Sequence, residues 1–202
     1  MALPVRLALL VFFAQWTCAP ANAGESFSAA LDDPVPGIQG VTYFDLVKQV
    51  VPDLQTAGYG YEGHKIIAMR HIGGEDSASD PPETASLSSV AIMPVQSDGK
   101  DRLLLLMELG QPEFSVAKYM ALGLFNVSDT PTLVDVADVG FDQITYFQDP
   151  DRLSLGDGKD MVLTSSQHFN SSQGYVTTAL ILIRNDKLQL IDTVFTFNDR
   201  FC

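Results

Sequence analysis

Asp98-Gly99-Lys100-Asp101, followed by Leu103-Leu104, returns 59 residues later as Asp157-Gly158-Lys159-Asp160, followed by Val162-Leu163. Two further blocks keep the same order. Tyr119-Met120-Ala121-Leu122 aligns with Tyr175-Val176-Thr177-Thr178 at an offset of 56, and Leu133-Val134-Asp135 aligns with Leu190-Ile191-Asp192 at 57. A steady offset over three blocks marks an internal repeat. Each block is a turn cluster feeding a short apolar run, which is the pattern of a β-hairpin.

Outward from the repeat, the same alternation covers most of the chain from His64 on. Strands are expected over 66–72, 89–95, 103–109, 132–139, 143–147, 161–165, 175–183 and 188–197. The stretch 116–122 favours helix on propensity, but its repeat partner 175–183 is β-branched and aromatic, so both read as strands. Long helices alternating with strands are absent, which disfavours a parallel α/β fold. The expected units are 98–141 and 157–197, with a degenerate earlier copy over 64–97. The fold class is all-β, with antiparallel hairpin units arranged as a propeller-like stack or a β-sandwich. One short helix precedes them. Thr42 can cap it, Asp45 sits in its first turn, Tyr43, Leu46, Val47 and Val50 form one apolar stripe, and Pro52 ends it.

The segment Gly156-Asp157-Gly158-Lys159-Asp160-Met161-Val162, echoed at 98–103, resembles the FG-GAP or VCBS type of β-propeller repeat. That resemblance implies propeller-like packing and calcium held by loop acids. Leu153 and Leu155 stand where the family carries further acidic residues. The acid-rich stretch offers Asp149, Asp151, Asp157 and Asp160 as calcium candidates, oxygen ligands being what that ion requires. Their spacing is not that of an EF-hand, and a solvated turn is the competing reading. Three scattered histidines make no zinc signature, and His64 and His71 stand at an odd separation that puts them on opposite faces of a strand.

The amino terminus has a different character. Arg6, the apolar run 7–14 and the ending Ala21-Asn22-Ala23 match the three regions of a secretory signal. The run is far shorter than the roughly 20 residues needed to cross a bilayer, and Gln15, Trp16 and Thr17 before Cys18 do not suit a lipid-modified signal. Cleavage after Ala23 and a periplasmic or secreted location are expected, with no membrane anchor remaining. Removing residues 1–23 takes one of the 12 basic residues and none of the 25 acids, moving the formal charge from −13 to −14. Such a field repels nucleic acid. It also removes the single Trp and leaves Cys202 without an internal disulfide partner. Residues 24–40 form a polar, Pro-containing lead-in, and 41–202 suit one domain.

The most polar stretch between two strands is 165–175. There His168 is the candidate general base or donor, with Gln167, Asn170, Gln173 and Tyr175 placed to orient a ligand. A hydrogen-bonded hairpin loop is the competing explanation. Sequons at Asn126 and Asn170 matter only on a eukaryotic secretory route. Serine-nucleophile elbows and phosphate-cradling loops are missing, which argues against the common hydrolase and nucleotide-binding classes. If the units are equivalent, loops 73–86, 110–116 and 169–174 share one edge. The sequence therefore points to an exported binding or interaction module with a protein or small-molecule ligand at that edge. A periplasmic hydrolase using His168 and a calcium-stabilised structural module are the alternatives.

Overall fold

The computed structural model describes residues 25–113, 115–170 and 173–199; the expected signal segment and Cys202 lie outside them. In chain order the elements are β1 (Phe27–Ala30), α1 (Tyr43–Val47), β2 (Gln55–Ala57), β3 (Gly60–Gly63), β4 (Arg70–His71), a 3-10 turn (Glu75–Ser77), β5 (Ala85–Leu87) and β6 (Ser89–Ser97). They continue as β7 (Lys100–Gly110), β8 (Tyr119–Asn126), β9 (Thr132–Asp138), β10 (Ile144–Gly156), β11 (Lys159–Asn170), β12 (Gln173–Arg184) and β13 (Lys187–Asp199). The protein is all-β, with several antiparallel sheets and very little helix.

Three turns set the hairpins. Asp98 and Gly99 (φ 51° and 71°), Asp157 and Gly158 (52° and 66°), and Asn185 and Asp186 (51° and 58°) all take the left-handed backbone. Two such residues in succession give the turn whose twist matches paired strands, and Asn, Asp and Gly are the residues that tolerate it. The result is two four-stranded meanders, β6-β7-β8-β9 and β10-β11-β12-β13. Each meander contains one of the two Asp-Gly turns. Each meander begins one strand earlier than the expected units 98–141 and 157–197, because β6 and β10 pair with the strands after the Asp-Gly turns.

The expected third copy, 64–97, is divided among other partners. Of the run 66–72, only Arg70–His71 becomes a strand, and it pairs in parallel with β9 at the far edge of the first sheet. Ile66, Ile67 and Met69 pack against the core without strand pairing. β5 joins β2 and β3 in a small separate sheet, and β6 belongs to the first meander.

The first meander is the middle layer. Along β7, Leu103, Leu105, Met107 and Leu109 enter one apolar cluster while Leu104 and Leu106 enter the other. A strand covered on both faces needs this unbroken apolar run rather than alternation. On one side lie Leu31, Val35, Tyr43, Leu46, Val47 and Val50 from the lead-in and α1. Asp45 ties the helix start, its carboxylate accepting from the Thr42 backbone N–H and hydroxyl at 2.8 Å each. On the other side, Phe147, Val162, Ala179, Ile181, Ile183 and Leu188 of the second meander complete the layer. The two meanders thus stack face to face through a shared core.

Candidate functional site

His168 lies on β11 and Tyr175 directly opposite on β12, with Phe197 of β13 opposite Tyr175. Because strand side chains alternate, His168 shares its face with Val162, Thr164 and Ser166, the face turned toward the first meander. Toward the Asp157-Gly158 end this face is apolar core. Toward the Asn170–Gln173 pair it becomes Thr164, Ser166 and Thr177, all buried, and then His168, Tyr175, Phe195 and Phe197. The two phenylalanines are 63% and 78% exposed, so the aromatic run continues past the edge of the core into solvent.

The connection from β9 to β10 supplies the partner of the histidine. Asp142, buried, has Oδ1 2.9 Å from His168 Nδ1. An ionised carboxylate only accepts, so Nδ1 carries a proton, and in the neutral ring Nε2 is then the acceptor. The same Oδ1 accepts the Gln143 N–H at 2.8 Å, and the Asp142 carboxylate acts on the Tyr175 hydroxyl. The Tyr175 ring stacks on His168 with centroids 5.0 Å apart and planes at 10°, and Phe197 follows at 6.4 Å, tilted 55°. Burial raises the Tyr175 hydroxyl above its ordinary pKa of 10.0, and the hydrogen bond to Asp142 and its charge push in the same direction. Behind the pair, Ser166 Oγ meets Thr145 Oγ1 at 2.8 Å and accepts the Phe141 N–H at 3.2 Å, bracing the connection.

Two of the loops, 73–86 and 110–116, touch at Gly110. Lys118 N–H donates to the Asp142 carbonyl. Pro82 and the Thr84 carbonyl approach Gly110 so closely that an added Cβ would lie 3.3 Å from Thr84 O. Below them, His71 locks the β4 end to the crossover. Its Nδ1 accepts from Gly73 N–H at 3.0 Å, which makes Nε2 the donor to the Gly140 carbonyl at 3.2 Å, and Phe141 meets the ring edge-on. Asp138 accepts from Met120 and Gly140 N–H groups. Burial nonetheless pushes its carboxyl above the usual range.

Of the residues singled out by sequence, His168 and Tyr175 come together. Gln167 faces the other way and donates its amide to the Tyr146 hydroxyl. The backbones of Asn170 and Gln173 pair with each other, and their side chains lie outside the described residues. His64 stands apart near Thr84 and Glu83. Two of the four acids proposed for calcium have separate engagements: Asp151 accepts from Ser26 N–H and Asp160 from Gln96 N–H. Among the described residues no three His, Cys, Asp or Glu side chains form a metal-holding group. The Asn126 side chain accepts from buried Arg102 at 2.9 Å, which ties up that sequon. Sequence reasoning passed over Asp142, Phe195 and Phe197, and gave Ser166 no role beyond its place in the polar stretch 165–175. The only local signal was the strand pattern 188–197, which says nothing about which rings emerge.

Comparison with known protein families, with curated proteins and with solved structures finds no match to this chain.

Proposed function

We propose that this chain is an exported binding module whose ligand docks at the edge formed by His168, Tyr175, Phe195 and Phe197. The cross-strand ladder His168–Tyr175–Phe197 carries the reading. Exposed aromatic rings held on a rigid sheet give large contact area at little cost in side-chain ordering. Asp142 fixes the imidazole so that Nε2 offers one directional hydrogen bond beside the rings. The matching ligand presents a ring face together with a donor for Nε2, as an aromatic peptide side chain or a sugar does. NMR titration with a panel of aromatic peptides and oligosaccharides tests this. Shifts should concentrate at residues 168, 175, 195 and 197 and vanish in Tyr175→Ala/Phe197→Ala. A panel that leaves those signals unmoved would count against the module.

The Asp142–His168 pair also favours a second reading, a hydrolase in which Nε2 draws a proton from water. In this reading the nucleophile is a water held at Nε2. Ester hydrolysis lost in both His168→Ala and Asp142→Ala would support it; rates equal to those of the wild-type protein would remove it.

A further inference from the structure

At a distance from the aromatic edge, the lead-in and α1 close over one face of β6 and β7 and leave a cleft of about 260 Å³. Its wall is formed by Val35, Tyr43, Pro94 and Leu103, and Phe27 and Val127 stand partly exposed at its mouth. That space equals about nine liquid-water volumes. Its walls are largely apolar, so water gains little there and an apolar solute gains much. Two buried donors of the lining break the pattern. Tyr43 is 1% exposed and its hydroxyl has no hydrogen-bond partner, and the Nε of Arg102 is likewise buried without one. A buried hydroxyl left unpaired is costly, so something that accepts from it is favoured.

We infer that this cleft binds a neutral, lipophilic small molecule of about two fused rings, carrying one hydrogen-bond acceptor for the Tyr43 hydroxyl. Charge decides between ligand types. Asp101 lies in the wall, where its carboxylate accepts from Gln96, and Asp33 acts electrostatically on Tyr43. The cation of the lining, Arg102, already holds Asn126 and Asp186. A fatty acid or other anion would therefore meet net repulsion. A ketone, ester or ether on an apolar body satisfies the hydroxyl without bringing charge. This site is independent of the aromatic edge and of the function proposed for it.

The neutral naphthyl ketone 6-propionyl-2-dimethylaminonaphthalene is a suitable probe, since its emission shifts to the blue in apolar surroundings. Titrated against the purified protein, it should give saturable, one-site, blue-shifted fluorescence. Val127→Trp blocks the mouth at a partly exposed position and should abolish the signal; Leu103→Phe fills the wall and should weaken it. Tyr43→Phe keeps the shape and should weaken the ketone about tenfold, the size of one hydrogen bond. It should leave 2-dimethylaminonaphthalene, which lacks the carbonyl, unchanged. Non-saturating fluorescence, or a Val127→Trp variant that binds normally, would overturn the site. Equal weakening of both probes by Tyr43→Phe would overturn the role of the hydroxyl.

Discussion

The backbone N–H of Gly99 donates to the carbonyl of Gly158 at 3.1 Å, so the two Asp-Gly turns lie against one another. Lys159 Nζ also stands 3.8 Å from Asp98 across the same contact. The two meanders are therefore stapled at one end by turns and at the other by the Asp142–His168 pair, with the apolar layer between.

The turn contact makes two superficially equal glycines unequal. Both have positive φ, where a side chain costs about 1–2 kcal/mol. A Cβ on Gly99 meets nothing within 4 Å, whereas one on Gly158 would lie 2.8 Å from Gly99 Cα and 3.0 Å from its nitrogen. Gly99→Ala should cost about 1 kcal/mol. Gly158→Ala should cost roughly 2–4 kcal/mol, since backbone must move as well. Urea unfolding of the two variants checks the order.

Asp135 clamps the second meander to the first on another side. Its carboxylate accepts from Leu188 N–H at 2.8 Å, from Lys187 at 3.0 Å and from Arg70 at 2.7 Å. Burial alone would raise this carboxyl, but those bonds and the Arg70 charge outweigh it and hold the pKa below 3.8. A depressed pKa contributes stability that is present above the unfolded value and is lost as pH falls through the folded one. Asp135→Asn should therefore cost about 2 kcal/mol at neutral pH, less than a fully buried pair because Arg70 and Lys187 can rehydrate. The deficit should shrink as pH drops below about 4, which parallel unfolding curves at pH 7 and pH 3 will show.

How far the sequence carries the fold depends on what each residue does locally. Asp98-Gly99 and Asp157-Gly158 are legible because a tight hairpin turn demands residues that accept positive φ. The strands built on those turns follow from them. Ile66, Ile67 and Met69 look like a strand because burial of an apolar coil and of a strand leaves the same composition. What separates them is pairing, which is long-range. In the site, His168 and Tyr175 are visible as polar residues between strands. Asp142 is 26 residues from His168 and meets it only because the β9–β10 connection crosses the end of the second sheet. Phe195 and Phe197 carry the same β-favouring character whether covered or exposed.

Alkali should unfold the protein through Tyr119. Burial, then Asp138 and Asp80, push its hydroxyl from 10.0 up to about 12. A raised pKa contributes stability that is complete below the unfolded value and is lost as pH rises through the folded one. Between pH 10 and 12 the protein should thus lose on the order of 2–3 kcal/mol. Tyr119→Phe should flatten this part of the profile while changing little at pH 7. Thermal midpoints across pH 9–12 measure both.

The last prediction isolates Asp142 as the residue that organises the aromatic edge. Its carboxylate meets His168 Nδ1 and helps raise the Tyr175 hydroxyl. Replacing it by Asn removes the charge and keeps the shape. Tyr175 should then ionise at lower pH, because part of what raised it was the hydrogen bond to Asp142 and that charge; the part due to burial stays. Tyr119 should be unaffected, its raised pKa arising from burial and then from Asp138 and Asp80. Ultraviolet difference titration should therefore show one tyrosine moving downward and the one near 12 fixed. The His168 ring, no longer committed to one tautomer by a carboxylate, should show broadened or shifted imidazole signals. Loss of the Tyr175 shift together with an unchanged imidazole would mean that the carboxylate holds the tyrosine alone. In that case the ladder would stand on stacking, and Nε2 would have no fixed direction in which to meet a ligand.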